Sequence, residues 1–168
     1  MLRKFGIIAV LSLIIAVVAA VPALAVNATS TTSKGGLHFV GTPQVTATKT
    51  STSAFLTATG EVAGAGTFAT ARLAADAEVT TGCINRGSQD QQPSGLKRTT
   101  TTTAGQTTFR TRSGRGTFSV STQPITTSRN CPDQMVPVLV SVNFTHVTLT
   151  ITSGANKIAT ATFPDIDP

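Results

Sequence analysis

Few residues in this chain are of types that do chemistry, and their spacing decides how far each can be taken. Asp76 and Glu78 stand two positions apart in a run that alternates apolar and polar residues. On a strand they share a face, about 7 Å apart, and paired carboxylates at related separations hydrolyse glycosides. That is the chemical argument for an extracellular hydrolase. The plainer reading is a charged wet face, since no aromatic platform or second acidic cluster accompanies them. His146 is of the type that serves as a general base, but no G-x-S-x-G elbow is present to partner it. Asp165 and Asp167 are hard-cation ligands by type; two carboxylates at a chain end fit a free tail better. Cys83 and Cys131, with His38 and His146 isolated from them, do not make a zinc constellation. No metal or cofactor is implied.

The remaining candidate is electrostatic. Lys97, Arg98, Arg110, Arg112 and Arg115 fall within nineteen positions that hold no acidic residue. Such a stripe can hold an acidic cell-surface polymer, extracellular DNA or another polyanion by charge pairing, without specific nucleic-acid recognition. Equally, it can keep a charge-poor sheet soluble and its edge unpaired.

The elements that must position these residues follow from composition. The chain has 168 residues, 12% of them charged, with 32 Thr, 13 Ser and neither Trp nor Tyr. Uncharged, β-branched and poor in strong helix formers, it excludes a helical bundle, a coiled coil and a charged disordered tail. One all-β domain remains. Thr is a good residue for the solvent side of a sheet, and no repeat of fixed period supports a water-ordering array built from the Thr99–Thr103 run.

The start of the chain gives its address. Arg3 and Lys4 precede a nearly unbroken apolar run from Phe5 to Val21, and Pro22 leads into Ala23-Leu24-Ala25. This is the pattern of a secretory signal peptide over residues 1–25, cleaved after an A-x-A site, with the mature chain starting at Val26. An uncleaved anchor is the rival, disfavoured by the small residues and by Pro22. Arg3-Lys4 is not a twin-arginine pair and no Cys follows the apolar run before Cys83, so the expectation is secretion by the general route, without lipidation and with no membrane attachment after cleavage. Loss of Arg3 and Lys4 lowers the net charge from +6 to +4. In an oxidising compartment Cys83 and Cys131 are most simply a disulfide, whose loop closure is worth about 4 kcal/mol.

Residues 26–36 are polar and without period, which predicts a flexible leader; the domain is expected over 37–163 and a tail over 164–168. Gln44–Thr50 and Ala54–Val62 read as strands joined across Ser51–Ser53, and Thr67–Cys83 as a long half-buried strand with Ala69, Ala71, Leu73, Ala75, Ala77 and Val79 inward. Asn85–Gly95 reads as a polar loop. Parity suggests a hairpin turning at Gly114-Arg115, with Phe109 facing Val120 and Thr111 facing Phe118. A last hairpin turns through Gly154-Ala155-Asn156, with Asn156 left-handed, and aligns Thr148, Thr150, Thr152, Thr160 and Thr162 outward. Val138 to Phe144 and Val147 to Ile151 differ in parity, so a bulge or a crossing between sheets is expected near Thr145-His146.

The runs Phe39-Val40-Gly41-Thr42-Pro43, Val62-Ala63-Gly64-Ala65-Gly66, Val79-Thr80-Thr81-Gly82-Cys83-Ile84-Asn85 and Asn130-Cys131-Pro132 resemble a family of secreted bacterial β-proteins of unknown function. The similarity spans about Leu37 to Phe163. It implies secretion, the Cys pair and an all-β domain, and carries no catalytic residues. Together these readings predict an all-β chain, a single β-sandwich of immunoglobulin-like or Greek-key architecture with about seven or eight strands and one disulfide. Its expected role is that of a non-catalytic extracellular interaction or cell-surface module.

Overall fold

The computed structural model describes residues 24–86 and 92–168. The predicted signal segment lies outside the described residues except for Leu24 and Ala25, as do 87–91 of the predicted 85–95 loop. The described chain is all-β. Its strands are β1 (Ala25–Asn27), β2 (Ser30–Lys34), β3 (His38–Lys49), β4 (Ser53–Ala63), β5 (Phe68–Asn85), β6 (Ser94–Arg110), β7 (Gly116–Ser121), β8 (Ile125–Thr126), β9 (Met135–Ser153) and β10 (Lys157–Thr162).

Two sheets result. One is ordered β1-β3-β4-β7, with β8 also paired to β4; the other is ordered β2-β10-β9-β5-β6. Period-two alternation dictates which side each strand buries. On β5, Ala69, Ala71, Leu73, Ala75, Ala77 and Val79 are buried, while Thr70, Ala74, Asp76, Glu78 and Thr80 are only partly covered and Arg72 is exposed. The buried residues of both sheets form one apolar cluster in which Phe144, Leu37, Leu56, Leu73 and Leu149 are the largest fully enclosed side chains and Ala fills many remaining places. Cys83 and Cys131 are joined, with α-carbons 5.8 Å apart.

Several expectations are corrected by the pairing. Residues 26–36 are not a free leader: β1 pairs with β3, placing Val26 opposite Val45, and β2 pairs with β10. All five residues of β2 are exposed, so its attachment is by backbone pairing and a hydroxyl contact, Ser30 Oγ to Thr162 Oγ1 at 2.7 Å, and leaves no hydrophobic period to read. Nor is the 164–168 tail free. Ile166 is 5% exposed and exchanges both backbone hydrogen bonds with Phe144, each 2.9 Å. Asp165 and Asp167, on either side, point to solvent.

The hairpin predicted at Gly114-Arg115 turns one position earlier. Ser113 and Gly114 take positive φ (49° and 78°), and Arg112 bridges Arg115. At this turn the chain changes sheets, since β6 pairs with β5 whereas β7 pairs with β4. Phe109 and Phe118 meet with ring centroids 5.8 Å apart, as members of different sheets. Side-chain parity is the same for a hairpin and for a corner between sheets, which is why it could not separate them.

The last hairpin has the predicted three-residue loop and outward Thr row, with Leu149 opposite Ala161 and Thr150 opposite Thr160. Its left-handed residue is Gly154 (φ 67°), not Asn156. The predicted irregularity falls at His146 (φ 51°), where the β5–β9 register shifts between Ala74 and Asp76. β9 nonetheless stays in one sheet, because a single extra residue is enough to reset the parity.

Candidate functional site

Asp76 and Glu78 lie on the open side of the β5 sheet, and each has its own partner. The bulge at His146 turns its ring toward β5, where Nδ1 lies 3.1 Å from Asp76 Oδ2; the two side chains are 84% and 44% exposed. Glu78 is ion-paired with Arg98, whose residue sits diagonally across the β5–β6 ladder. A shallow depression of about 260 Å³ is lined by Arg72, Asp76, Thr102, His146 and Thr148 among others, and Glu78 does not reach it. The two carboxylates therefore share a strand face without sharing a cavity.

The basic stripe is divided by the fold. Lys97 and Arg98 stand near one end of β6 and Arg110 at the other, roughly 40 Å apart by strand rise. Consecutive residues of a strand face opposite ways, so Lys97 and Arg98 lie on different faces. Arg110 lies over the Phe68 ring, 5.5 Å from its centroid, and Arg115 Nε donates to Glu61 Oε1 at 2.9 Å. Arg112 is at the exposed turn beside Arg115. Five charges contiguous in sequence thus form two separate groups, and two of the five are neutralised by carboxylates.

One concavity was not foreseen. It is a cleft of about 790 Å³ between the amino-terminal half of β6 and the connector 123–130. β5 and β6 supply Val79, Thr81, Lys97 and the run from Thr99 to Ala104; the connector supplies Gln123, Pro124, Ile125, Thr126, Ser128, Arg129 and Asn130. Hydroxyls, two side-chain amides and two cations line it, and none of its lining residues among those described is acidic. Its closed end is stitched to both sheets. The Thr122 backbone N–H donates to the Leu56 carbonyl of β4 (2.9 Å), the Gln123 N–H donates to the Ala104 carbonyl of β6 (3.1 Å), and Thr103 Oγ1 donates to the Gln123 carbonyl (2.7 Å).

The far wall is tethered three ways. β8 pairs with β4, Arg129 donates to the carbonyls of Thr81 and Gly95, and the next residue but one, Cys131, is bridged to Cys83 at the end of β5. The disulfide anticipated from compartment alone therefore also positions the wall of the cleft. Lys97 is the one member of the predicted stripe that faces into it; Arg129 is the cation that the sequence reading missed. The Cys pair was the available signal, since a bridge to Cys83 obliges residues shortly before Cys131 to lie beside the start of β6.

No protein-family model matches this chain, and no curated protein and no solved structure matches it. The disulfide points to an oxidising compartment, and no helix among the described residues is long and apolar enough to cross a membrane.

Proposed function

We propose that this chain is a secreted β-sandwich that works by binding another extracellular molecule and not by catalysis. The two sheets with one shared core are read as the layers of the sandwich, and the disulfide fits export of the chain from Val26 onward. The observation that carries the reading is the cleft between β6 and the 123–130 connector, a tethered concavity lined by hydroxyls, amides and the cations of Lys97 and Arg129. The hydrolase alternative, built on Asp76 and Glu78, is weakened by the separate partners of the two carboxylates and by their lack of a common cavity. The polyanion alternative loses its continuous stripe and narrows to the end of β6 that carries Lys97.

The test is a titration of the exported, oxidised protein followed by amide NMR, using a glutamate-rich peptide, heparin and single-stranded DNA as anionic probes. Shifts confined to residues 97–103 and 123–130, with at least one probe, support the cleft. Shifts confined to Arg110, Arg112 and Arg115, or none with any probe, would overturn it.

A further inference from the structure

The β5–β6 ladder runs without a register shift from Phe68 opposite Arg110 to Thr81 opposite Lys97. In an antiparallel ladder each residue directs its N–H and C=O together, alternately toward the partner strand and away from it. The Ala104 carbonyl accepts from Gln123, which is not on β5, so Ala104 directs its groups away from β5. By the same alternation Thr102, Thr100 and Arg98 do so too. Among the described residues, none of these three has a backbone partner on that side. β6 is the edge of its sheet, and every side chain from Ser94 to Thr102 is exposed. The amino-terminal half of β6 is therefore an open pairing edge, bounded at Ala104 by Gln123.

This edge borders the cleft. All of Thr99 to Ala104 border it together with Lys97. By strand alternation the side chains of Lys97, Thr99 and Thr101 are on the face of Val79 and Ala77, and those of Arg98, Thr100 and Thr102 are on the opposite face, so that Thr100 and Thr102 meet the cleft along the strand edge. A strand added along β6 would continue the pleat, sending every second side chain into a space that holds Lys97 and Arg129 and, among the described residues, no acidic side chain. Backbone pairing would supply affinity, and the cleft would select the alternate side chains.

We infer that β6 receives an extended peptide as an added strand along residues 96–102, and that this peptide carries Asp or Glu at alternate positions. The inference rests on the cleft-binding reading and specifies its ligand class. Alternating N–H and C=O groups along the edge call for a polypeptide, which a polysaccharide or nucleic acid does not mimic. A second copy of this chain is the poorer occupant. Its own β6 would bring Lys97 and Arg98 and no carboxylate, and Asp76 and Glu78 lie on β5, an interior strand.

The experiment uses the exported, oxidised protein and a seven-residue peptide alternating Glu and Thr, with three comparisons: the same peptide N-methylated at every second residue, a Lys-for-Glu peptide, and no peptide. Hydrogen exchange is read at single amides. Strand addition predicts slowed exchange at Arg98, Thr100 and Thr102, with Thr99 and Thr101 unchanged because they already pair with β5. It also predicts at least tenfold weaker binding when N-methyl groups occupy the hydrogen-bonding positions, and no binding of the Lys peptide. Thr100→Pro removes an N–H that faces away from β5, the placement a sheet edge tolerates, and should abolish binding with the β5–β6 ladder intact by NMR. Lys97→Glu should weaken binding at least fivefold and flatten its salt dependence.

Equal binding of the N-methylated peptide, with shifts at Lys97 and Arg129 but no alternate protection, would overturn strand addition while leaving the cleft reading in place. Protection of the same three amides without peptide, rising with protein concentration, would overturn the acidic-peptide assignment in favour of self-pairing. No binding of the Glu-Thr peptide, with heparin still shifting the cleft amides, would overturn the inference alone. Failure of every probe would overturn both readings.

Discussion

The two halves of β6 carry similar side chains in unlike surroundings. From Ser94 to Thr102 every residue is exposed, including four consecutive Thr, whereas Thr103, Ala104 and Gly105 are all covered and from Gln106 to Arg110 exposed and covered residues alternate. What changes is the cover. At Gly105 the end of β7 passes so closely that an added β-carbon would collide with the Ser121 carbonyl, and at Phe109 the ring packs on Phe118 of the other sheet. In the other half the connector has moved away and the cleft takes its place. Thr is neutral between these fates, because its methyl and hydroxyl suit a half-buried position and a wet one alike. The difference between a structural strand and an available one lies in a neighbour far along the chain.

Removing the cover from the buried half should give the largest effect. Phe118 is 5% exposed and its ring contacts both Phe39 and Phe109. Phe118→Ala should cost about 3 to 5 kcal/mol, measured by denaturant unfolding with an unchanged slope. A cost under about 1 kcal/mol would show that the carboxyl-terminal half of β6 does not depend on its partner sheet. The disulfide acts on the other half. Its reduction should destabilise the protein by about 2 to 4 kcal/mol, and the local signature is more telling than the total. Amides of the 123–130 connector should exchange faster while those of 105–110 keep their protection; uniform loss of protection would mean that the bridge does not specifically hold the cleft wall.

Gly105 marks the boundary between the halves. A side chain there meets the Ser121–Thr122 backbone at the end of β7 and not a flexible side-chain end, so that segment must lift and strain the adjoining Gln123 to Ala104 hydrogen bond. Gly105→Ala should cost about 1 to 3 kcal/mol, whereas Thr101→Ala, facing the open cleft, should stay within about 0.5. Equal costs would erase the distinction.

How much of this was legible follows the same division. The long alternation of β5, the outward Thr row, the bulge near His146 and the disulfide were readable, because each leaves a local pattern: parity, a parity slip, or a pair of Cys in an exported chain. β1, β2 and the Phe144–Ile166 bridge were missed, because their attachment is largely by main-chain hydrogen bonds that impose little on side-chain type. The corner at Ser113-Gly114 was misread as a hairpin, since inward-facing Phe109 and Phe118 satisfy either geometry. Of the candidate site, Lys97 was named for its charge and Arg129 was not, and the cleft itself was invisible. It exists because β6 outruns the sheet opposite, a relation between elements that no single segment encodes. The Asp76 and Glu78 pair shows the converse, a motif visible in sequence whose members the fold gives to His146 and Arg98.

The finest comparison is between two threonines of one face. Thr101 and Thr103 are two residues apart on β6 and both point toward the interior side of the sheet, opposite Ala77 and Ala75 respectively. Thr103 is 7% exposed and its hydroxyl donates to the Gln123 carbonyl at 2.7 Å; Thr101 is exposed in the cleft. Val preserves the shape and β-branching of Thr and removes only the hydroxyl. At position 103 that deletes one buried hydrogen bond, so Thr103→Val should cost about 0.5 to 1.5 kcal/mol and speed exchange of the Gln123 amide as the connector loosens. At position 101 the lost hydroxyl was hydrated, and Thr101→Val should change stability by less than about 0.5 kcal/mol in either direction. A double-mutant cycle with Gln123→Ala, which leaves the carbonyl in place, should show little coupling to Thr103→Val, because the bond is made to backbone and not to the Gln side chain. Strong coupling would place the Gln123 amide, and not the main chain, at the closed end of the cleft.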